Sequence, residues 1–332
     1  MLSEYTLGMI TYEKLLKKPQ VAKSLIGMRL AEFGQFYAEF EKKHEERIQT
    51  STKTRRKLKK RQRAVGAGRK HKYDLRDRLL LTLFWLKAYT TYELLGFFYD
   101  LNKTNIEDNL NLMLDTLASM TSFNFERPKA DRQKLHSAAE VMDAFPDVRL
   151  IIDAKEQGVE RPKNKKDQDG NVQDRQKPYY SGKKKAHTIK NQAAISPTGL
   201  VEHASESVPG GSTHDVTLLR QTGLLSELAD DEAAMLDKGY DGIAADYPDQ
   251  KLYLPFKARR NHQLTEEQKA YNRFLAKYRI VVEHTMAQLN KFQILAQRFR
   301  HPLTRHSVIF RIVCGLVNRR IQLHPLKHYS PA

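Results

Sequence analysis

The sequence predicts an α/β core preceded by an all-α N-terminal region. Three observations carry that prediction. Up to about residue 122 the apolar residues recur at helical spacing, and from residue 148 short β-branched runs alternate with helical patterns. Acids mark the second half: Asp153 closes the run Val148-Arg149-Leu150-Ile151-Ile152, and Asp237 closes Ala233-Ala234-Met235-Leu236. A third acid, Glu283, lies in the helical pattern Arg279-Ile280-Val281-Val282-Glu283-His284. A carboxylate that ends a buried strand is costly unless it is paired or bound to a cation.

Residues 1–50 form an N-terminal helical segment. Its pattern breaks at Pro19, and then Val21, Leu25, Leu30, Phe33, Phe36, Tyr37 and Phe40 recur on one face. A basic linker, 51–72, follows. It carries Arg55, Arg56, Lys57, Lys59, Lys60, Arg61 and Arg63, then Arg69 and Lys70 beyond Gly66-Ala67-Gly68. Like charges at this density repel one another. A segment that contacts DNA phosphates and a plain exposed charged helix both fit it.

Residues 73–122 read as three helices: Asp74 to Lys87, one opening at Thr90 with Glu93 completing a capping box, and one opening at Thr104 with Glu107 in that role. The short connector Tyr99-Asp100-Leu101-Asn102-Lys103 fits a helix-turn-helix DNA-binding domain; a plain helical bundle fits it too. Asn105, Glu107, Asp108, Asn109 and Asp115 leave the third helix without a basic face, so the linker supplies the positive charge.

A catalytic domain is expected over 148–322. After the Asp153 strand, residues 163–178 are polar and turn-rich and read as a loop. Strands at Ala186 to Ile195 and Leu200 to Val208 form a hairpin around Ser196-Pro197-Thr198-Gly199. The turn Pro209-Gly210-Gly211-Ser212-Thr213-His214-Asp215 leads to a helix from Val216 to Leu228, and the chain returns through the Asp237 strand. Lys251 to Phe256 is a further strand, Thr265 with Gln268 caps a helix running past Lys291, and a last helix occupies 303–322.

Composition narrows the partner. The chain has 332 residues, enough for two or three domains, and its 57 Lys and Arg against 39 Asp and Glu give a net charge of +18. That excess favours a polyanion, because neutralising phosphates releases condensed counterions; solubility alone is the rival reading. The longest apolar run, Leu79 to Leu86, is far shorter than the roughly 20 residues that span a bilayer. Cys314 is the single cysteine and reads as a core residue, and the first residues carry no basic-then-apolar leader. The expectation is a cytoplasmic, nucleoid-associated protein with no membrane partner.

The order is strand with acid, hairpin, helix, strand with acid, strand, long helix with acid. It matches a ribonuclease H-like core, a mixed sheet flanked by helices, in which Asp153 and Asp237 lie on neighbouring strands and Glu283 projects from a covering helix. Oxygen-only ligands suit Mg²⁺ or Mn²⁺, and two such ions serve an in-line phosphoryl displacement. His187, His214 and His284 have no Cys/His spacing of a zinc site.

Asp153, Met235-Leu236-Asp237-Lys238-Gly239-Tyr240-Asp241 and Arg279-Ile280-Val281-Val282-Glu283 resemble the DDE motif of bacterial insertion-sequence transposases, the branch related to the eukaryotic Harbinger elements. Tyr180-Ser181-Gly182-Lys183-Lys184-Lys185, the Pro209 to Asp215 turn and Ala64-Val65-Gly66-Ala67-Gly68-Arg69-Lys70 add to the resemblance, which covers nearly the whole chain. It implies a metal-dependent transposase whose catalytic, metal-binding residues are Asp153, Asp237 and Glu283. Two departures stand out: Lys155 follows Asp153-Ala154 where the family carries Thr, and Asn290 stands where a basic residue usually follows the glutamate by two helical turns.

Asp215 is the rival second acid, although its place after a glycine turn reads as a helix cap. Asp241 reads as a cap for the turn after Tyr240. Arg279, one turn before Glu283, is placed either to hold that carboxylate or to form an ordinary surface pair. Lys183, Lys184 and Lys185 read as DNA contacts or as a solvated loop edge. The expected partners are double-stranded DNA, both the terminal inverted repeats and the target, and a second copy of the chain. A stand-alone DDE endonuclease and a DNA-binding regulator derived from a transposase are the alternatives.

Overall fold

The structure, a computed structural model, describes residues 10–58, 71–123, 125, 144–166, 172–260 and 262–324. The chain divides into two units, Met1–Asn124 with Phe292–Ile294 and Phe125–Lys291 with Leu295–Ala332.

The first unit is helical. Thr11 caps α1 (Tyr12–Lys17), a 3-10 turn begins at Pro19, and α2 (Ala22–Ile26) leads to the long α3 (Leu30–Leu58). Phe33, Phe36 and Phe40 are fully buried along one face of α3, as the helical spacing requires. Asp74 caps α4 (Leu75–Ala88), which buries Leu79, Leu80, Leu81, Leu83, Trp85 and Leu86 almost all round and so forms the centre of this unit.

Next come α5 (Tyr92–Tyr99) and α6 (Lys103–Ala118). Their caps differ from the expected ones. Thr91 accepts from the Leu94 N–H and Asn102 from the Asn105 N–H. Thr90 lies one residue too early to reach that N–H, and Thr104 is already inside α6. Glu93 pairs with Lys103 at 2.7 Å instead of closing a box.

The second unit is built on a mixed sheet. The strands are β1 (Val148–Gly158), β2 (Lys165–Lys166), β3 (Val172–Gln173), β4 (Tyr180–Ser181), β5 (Ala186–Ile195), β6 (Val201–Ala204), β7 (Val208–Pro209), β8 (Ala233–Met235) and β9 (Lys251–Tyr253). β2 and β3 form a small ribbon inside the stretch expected to be a loop. In the main sheet β5 pairs antiparallel with β1 and carries β4, β6 and β7; on the other side β8 is parallel to β1, and β9 parallel to β8.

Asp153 lies inside β1, not at its end. The strand continues because β5 goes on pairing with it, up to Gly158 opposite Thr188. The helix expected from Val216 to Leu228 splits into α7 (Asp215–Thr222) and a 3-10 turn at Leu224–Glu227, since Gly223 takes a left-handed φ of +62°. β9 is three residues shorter than expected.

Thr265 and Gln268 form the predicted capping box of α8 (Glu266–Asn290), which stops at Asn290. The last helix is α9 (His306–Leu323).

The two faces of the sheet have different cover. Leu150, Ile152, Ala194, Ala234 and Leu236 pack with Leu219, Leu224, Leu225, Tyr240 and Ile243 on the α7 side. Burying each such Leu or Ile contributes about 1.5–3 kcal/mol. The alternate residues of β1 rise on the opposite face, under α8 and α9. There Gln157 bonds His306 Nε2 at 2.9 Å, and Asn318 of α9 bonds both backbone groups of Val201 in β6. Thr285 donates to the Gly199 carbonyl at 2.8 Å and fixes α8 against the hairpin turn. Cys314 is buried in α9. Among the described residues no helix is long and apolar enough to cross a membrane.

Candidate active site

Parallel register brings two of the predicted acids level. Ile151 of β1 pairs with Met235 of β8. Two residues farther along stand Asp153, inside β1, and Asp237, which does not close the strand as expected but lies two residues past the end of β8, at the start of the 3-10 turn Lys238–Tyr240; both face α8. The third neighbour on that face is Arg279, whose Nη1 lies 2.9 Å from Asp237 Oδ1. Arg279 is therefore not paired with Glu283, as its i,i+4 spacing had allowed: the carboxylate that follows β8 claims the guanidinium.

Asp153 is the electrostatic centre. Burial raises its pKa to about 6, against the stabilising Ala154 N–H and Arg279, and the charges of Asp237 and Asp215 push it in the same upward direction. The Ala154 N–H donates to Asp153 Oδ1 at 2.8 Å. Such a carboxyl, disfavoured as an anion and flanked by other acids, is the kind of group that a bound cation would stabilise.

Tyr240, in the turn after Asp237, is buried, and its hydroxyl has no hydrogen-bond partner among the described residues. Burial and the nearby Asp153, Asp215 and Asp237 hold its phenol well above the ordinary range. It therefore stays neutral, near enough to feel the charges of the acids but bonded to none of them. Asp241 sits at the C-terminal end of that turn and pairs with Lys257 at 3.5 Å.

Asp215 takes another position. It is the first residue of α7, while His214 holds the cap position, so Asp215 does not cap the helix. Its Oδ1 lies 2.8 Å from Lys190 Nζ, and that ammonium also donates to the Thr213 carbonyl at 2.8 Å. Lys190 is opposite Glu156 in the β1–β5 register, which puts this pair on the α7 side of the sheet. Gly239 closes against it, since a Cβ there would stand 2.8 Å from Asp215 Oδ2. Asp215 is thus fastened on the opposite face from Arg279, and only Asp237 is level with Asp153.

Glu283 is exposed on α8. Helical geometry sets it about 40° round from Arg279, and Asn290 about 20° round, so the three lie in one row. The row is tied at Arg279 to Asp237 and at Asn290 to Lys155 of β1, whose Nζ donates to Asn290 Oδ1 at 2.5 Å. Glu283 falls between the two ties. Among the described residues no three acids or histidines are close enough together to hold a metal ion. The donor chemistry nevertheless fits a hard divalent cation, with Asp153 on β1 and Asp237 just past β8 as oxygen ligands.

Lys183 and Lys184 are exposed in the turn from β4 to β5, where Lys185 takes a positive φ of 50°. Arg55, Arg56 and Lys57 belong to α3, but their side chains, like Lys59, Lys60, Arg61, Arg63, Arg69 and Lys70 entirely, lie outside the described residues. Sequence reasoning missed Lys155 and Lys190. The signal for Lys155 was its place two residues after Asp153, hence on the same strand face.

A family profile described as a DDE superfamily endonuclease matches residues 152–318. The chain is also 29% identical over 262 residues, 77% of its length and 84% of the relative's, to a protein of Microchaete diplosiphon described as a probable transposase for insertion sequence element IS702. No solved structure matches.

Proposed function

We propose, on the premise that the chain belongs to the DDE superfamily of endonucleases, that it is the transposase of an insertion sequence, cutting DNA at the element ends and joining them to target DNA. Enzymes of this superfamily use divalent metal ions. The observation that carries the reading is the level pair Asp153 and Asp237 beneath a helix that presents Glu283.

In this reading Asp153, Asp237 and Glu283 hold two Mg²⁺ or Mn²⁺ ions. Bound there, the ions supply Lewis acidity to the phosphodiester and lower the pKa of water. The chain's own residues prepare the site. Arg279 fixes one oxygen of Asp237 and leaves the other to a ligand. Tyr240 offers a neutral hydroxyl donor beneath the acids. Lys183, Lys184 and Lys185 meet DNA phosphates at the sheet edge. Water attacks the phosphorus and the 3′ oxygen leaves as a hydroxyl; that 3′-OH then attacks a phosphodiester of the target, releasing the target's own 3′-OH. The strand order β6-β5-β1-β8-β9, with β8 and β9 parallel to β1, supports a ribonuclease H-like core.

DNA engagement falls to the first unit in the same proposal. Its α5–α6 pair acts as a helix-turn-helix, and the basic residues of 53–72 contribute phosphate contacts. Joining two element ends needs at least a homodimer on DNA. The protein works in the cytoplasm, on the nucleoid.

The test replaces each acid singly, as Asp153→Asn, Asp237→Asn and Glu283→Gln. Each change is expected to lower Mg²⁺-dependent cleavage of terminal-repeat DNA by roughly 10²-fold or more, as when a group acting in the transition state is removed. DNA binding should persist and weaken steeply with salt. Cleavage that survives a substitution removes that residue from the site. Cleavage with no strand-transfer product would make the chain a stand-alone endonuclease, and binding without any metal-dependent cleavage a regulator.

A further inference from the structure

Lys155 is a charge that the mechanism above does not use. It follows Asp153 by two residues on β1, so both side chains rise from the face that α8 covers. Its ammonium crosses to the last residue of α8 and donates to Asn290 Oδ1. That partner is a neutral amide. Among the described residues no carboxylate pairs with Lys155, whereas Lys190 has Asp215 and Lys251 has Asp147.

A second cation is close. Lys184, in the turn before β5, lies within electrostatic reach of Lys155. A half-buried ammonium whose partner is a neutral amide, with a second, exposed ammonium near it, makes a spot that suits an anion. The position defines which anion. Along the row of α8, Asp237 meets Arg279 and Lys155 meets Asn290, with Glu283 between. Lys155 therefore lies beside the acids, on their own face, at the distance of one β-strand repeat from Asp153.

We propose that Lys155 is a positioning residue that grips one backbone phosphate of the DNA next to the cleaved bond, with Asn290 aiming the ammonium and Lys184 adding charge. This rests on the functional reading given above. An ammonium suits the task because it contacts a phosphate as a point charge and carries no sequence preference.

The experiment measures, in EDTA, how affinity for a duplex bearing the inverted repeat that flanks the gene depends on salt. Four proteins are compared: wild type, Lys155→Met, Lys155→Arg and the double variant Lys155→Met/Asn290→Lys. Losing one phosphate contact is expected to lower the slope of log affinity against log salt by about one in Lys155→Met. Lys155→Arg should keep the wild-type slope. The double variant, which moves the positive charge across the existing contact onto α8, should regain it.

A purely structural Lys155 would be rescued by arginine, which can still donate to Asn290, but not by the double variant; an unchanged slope in Lys155→Met, or no recovery in the double variant while Lys155→Arg stays normal, therefore overturns the proposal. If wild type cuts the duplex once Mg²⁺ replaces EDTA, while Lys155→Met keeps the full slope, the proposal falls and the functional reading stands. If wild type neither binds nor cuts, the functional reading falls first and takes this one with it.

Discussion

Asp153 on β1 and Asp237, two residues past the end of β8, each stand two residues beyond the parallel register pair Ile151 and Met235. Parallel pairing with a side-chain period of two makes this a property of register: a one-residue slip of β8 would turn Asp237 into the α7-side core and bring Leu236 out beside Asp153. The apolar residues that fix the register, Ala234 and Leu236 on one face and Met235 on the other, therefore also aim the carboxylate.

The raised pKa of Asp153 ties stability to pH. The folded chain holds this proton to about pH 6, against an ordinary value of 3.8, so folding binds the proton and stability rises as pH falls from above 6 towards 4. Keeping the carboxylate charged above pH 7 costs about 3 kcal/mol. Asp153→Asn should therefore melt higher than wild type at pH 8 in EDTA and equal to it at pH 4. Added Mg²⁺ should stabilise wild type above pH 6 and lose its effect below, where the carboxyl is protonated. Thermal unfolding across this pH range checks both; a variant that melts lower at pH 8 contradicts the account.

Arg279 serves both acids, bonding Asp237 and lowering the proton affinity of Asp153. Arg279→Met should reduce cleavage by roughly 10–100-fold, the range for removing a group that orients a metal ligand. It should also move the acid limb of the kcat/KM profile to higher pH. A limb that stays in place would show that Arg279 acts only on Asp237.

A Cβ on Gly239 would stand 2.8 Å from Asp215 Oδ2, so the carboxylate would have to shift from its pairing with Lys190. Gly239→Ala should cost about 1–3 kcal/mol of stability, the scale of forcing an extra methyl into a filled site. Adding Asp215→Ala removes the obstructing oxygen, and the double variant should recover part of the loss in chemical denaturation. Additive losses would place the strain elsewhere.

How far the sequence reached differs from element to element. The α8 capping box was legible because Thr265 and Gln268 act within one turn. The caps of α5 and α6 were displaced because adjacent Thr and Asn residues compete for the same N–H groups, and backbone geometry chooses between them. β1 was read five residues too short because its apolar run ends at Asp153, while the hydrogen bonds that extend it come from β5, some 35 residues on.

The three acids, their order and the basic excess are properties of the sequence itself, since strand and helix periods and charge are local. What only the tertiary structure decided is which groups meet. Arg279 stands one helical turn from Glu283, yet it bonds Asp237 because β8 brings that carboxylate under α8. Asp215 follows a glycine turn and Asp237 an apolar run, both as candidates for the second acid, and the two faces of one sheet separate them. Lys155 and Asn290 are two unrelated departures in the sequence, 135 residues apart, until one hydrogen bond joins them. Local patterns are set by neighbours along the chain; pairing across it depends on register and on which face a side chain takes, and these are fixed only when the sheet and its covering helices pack.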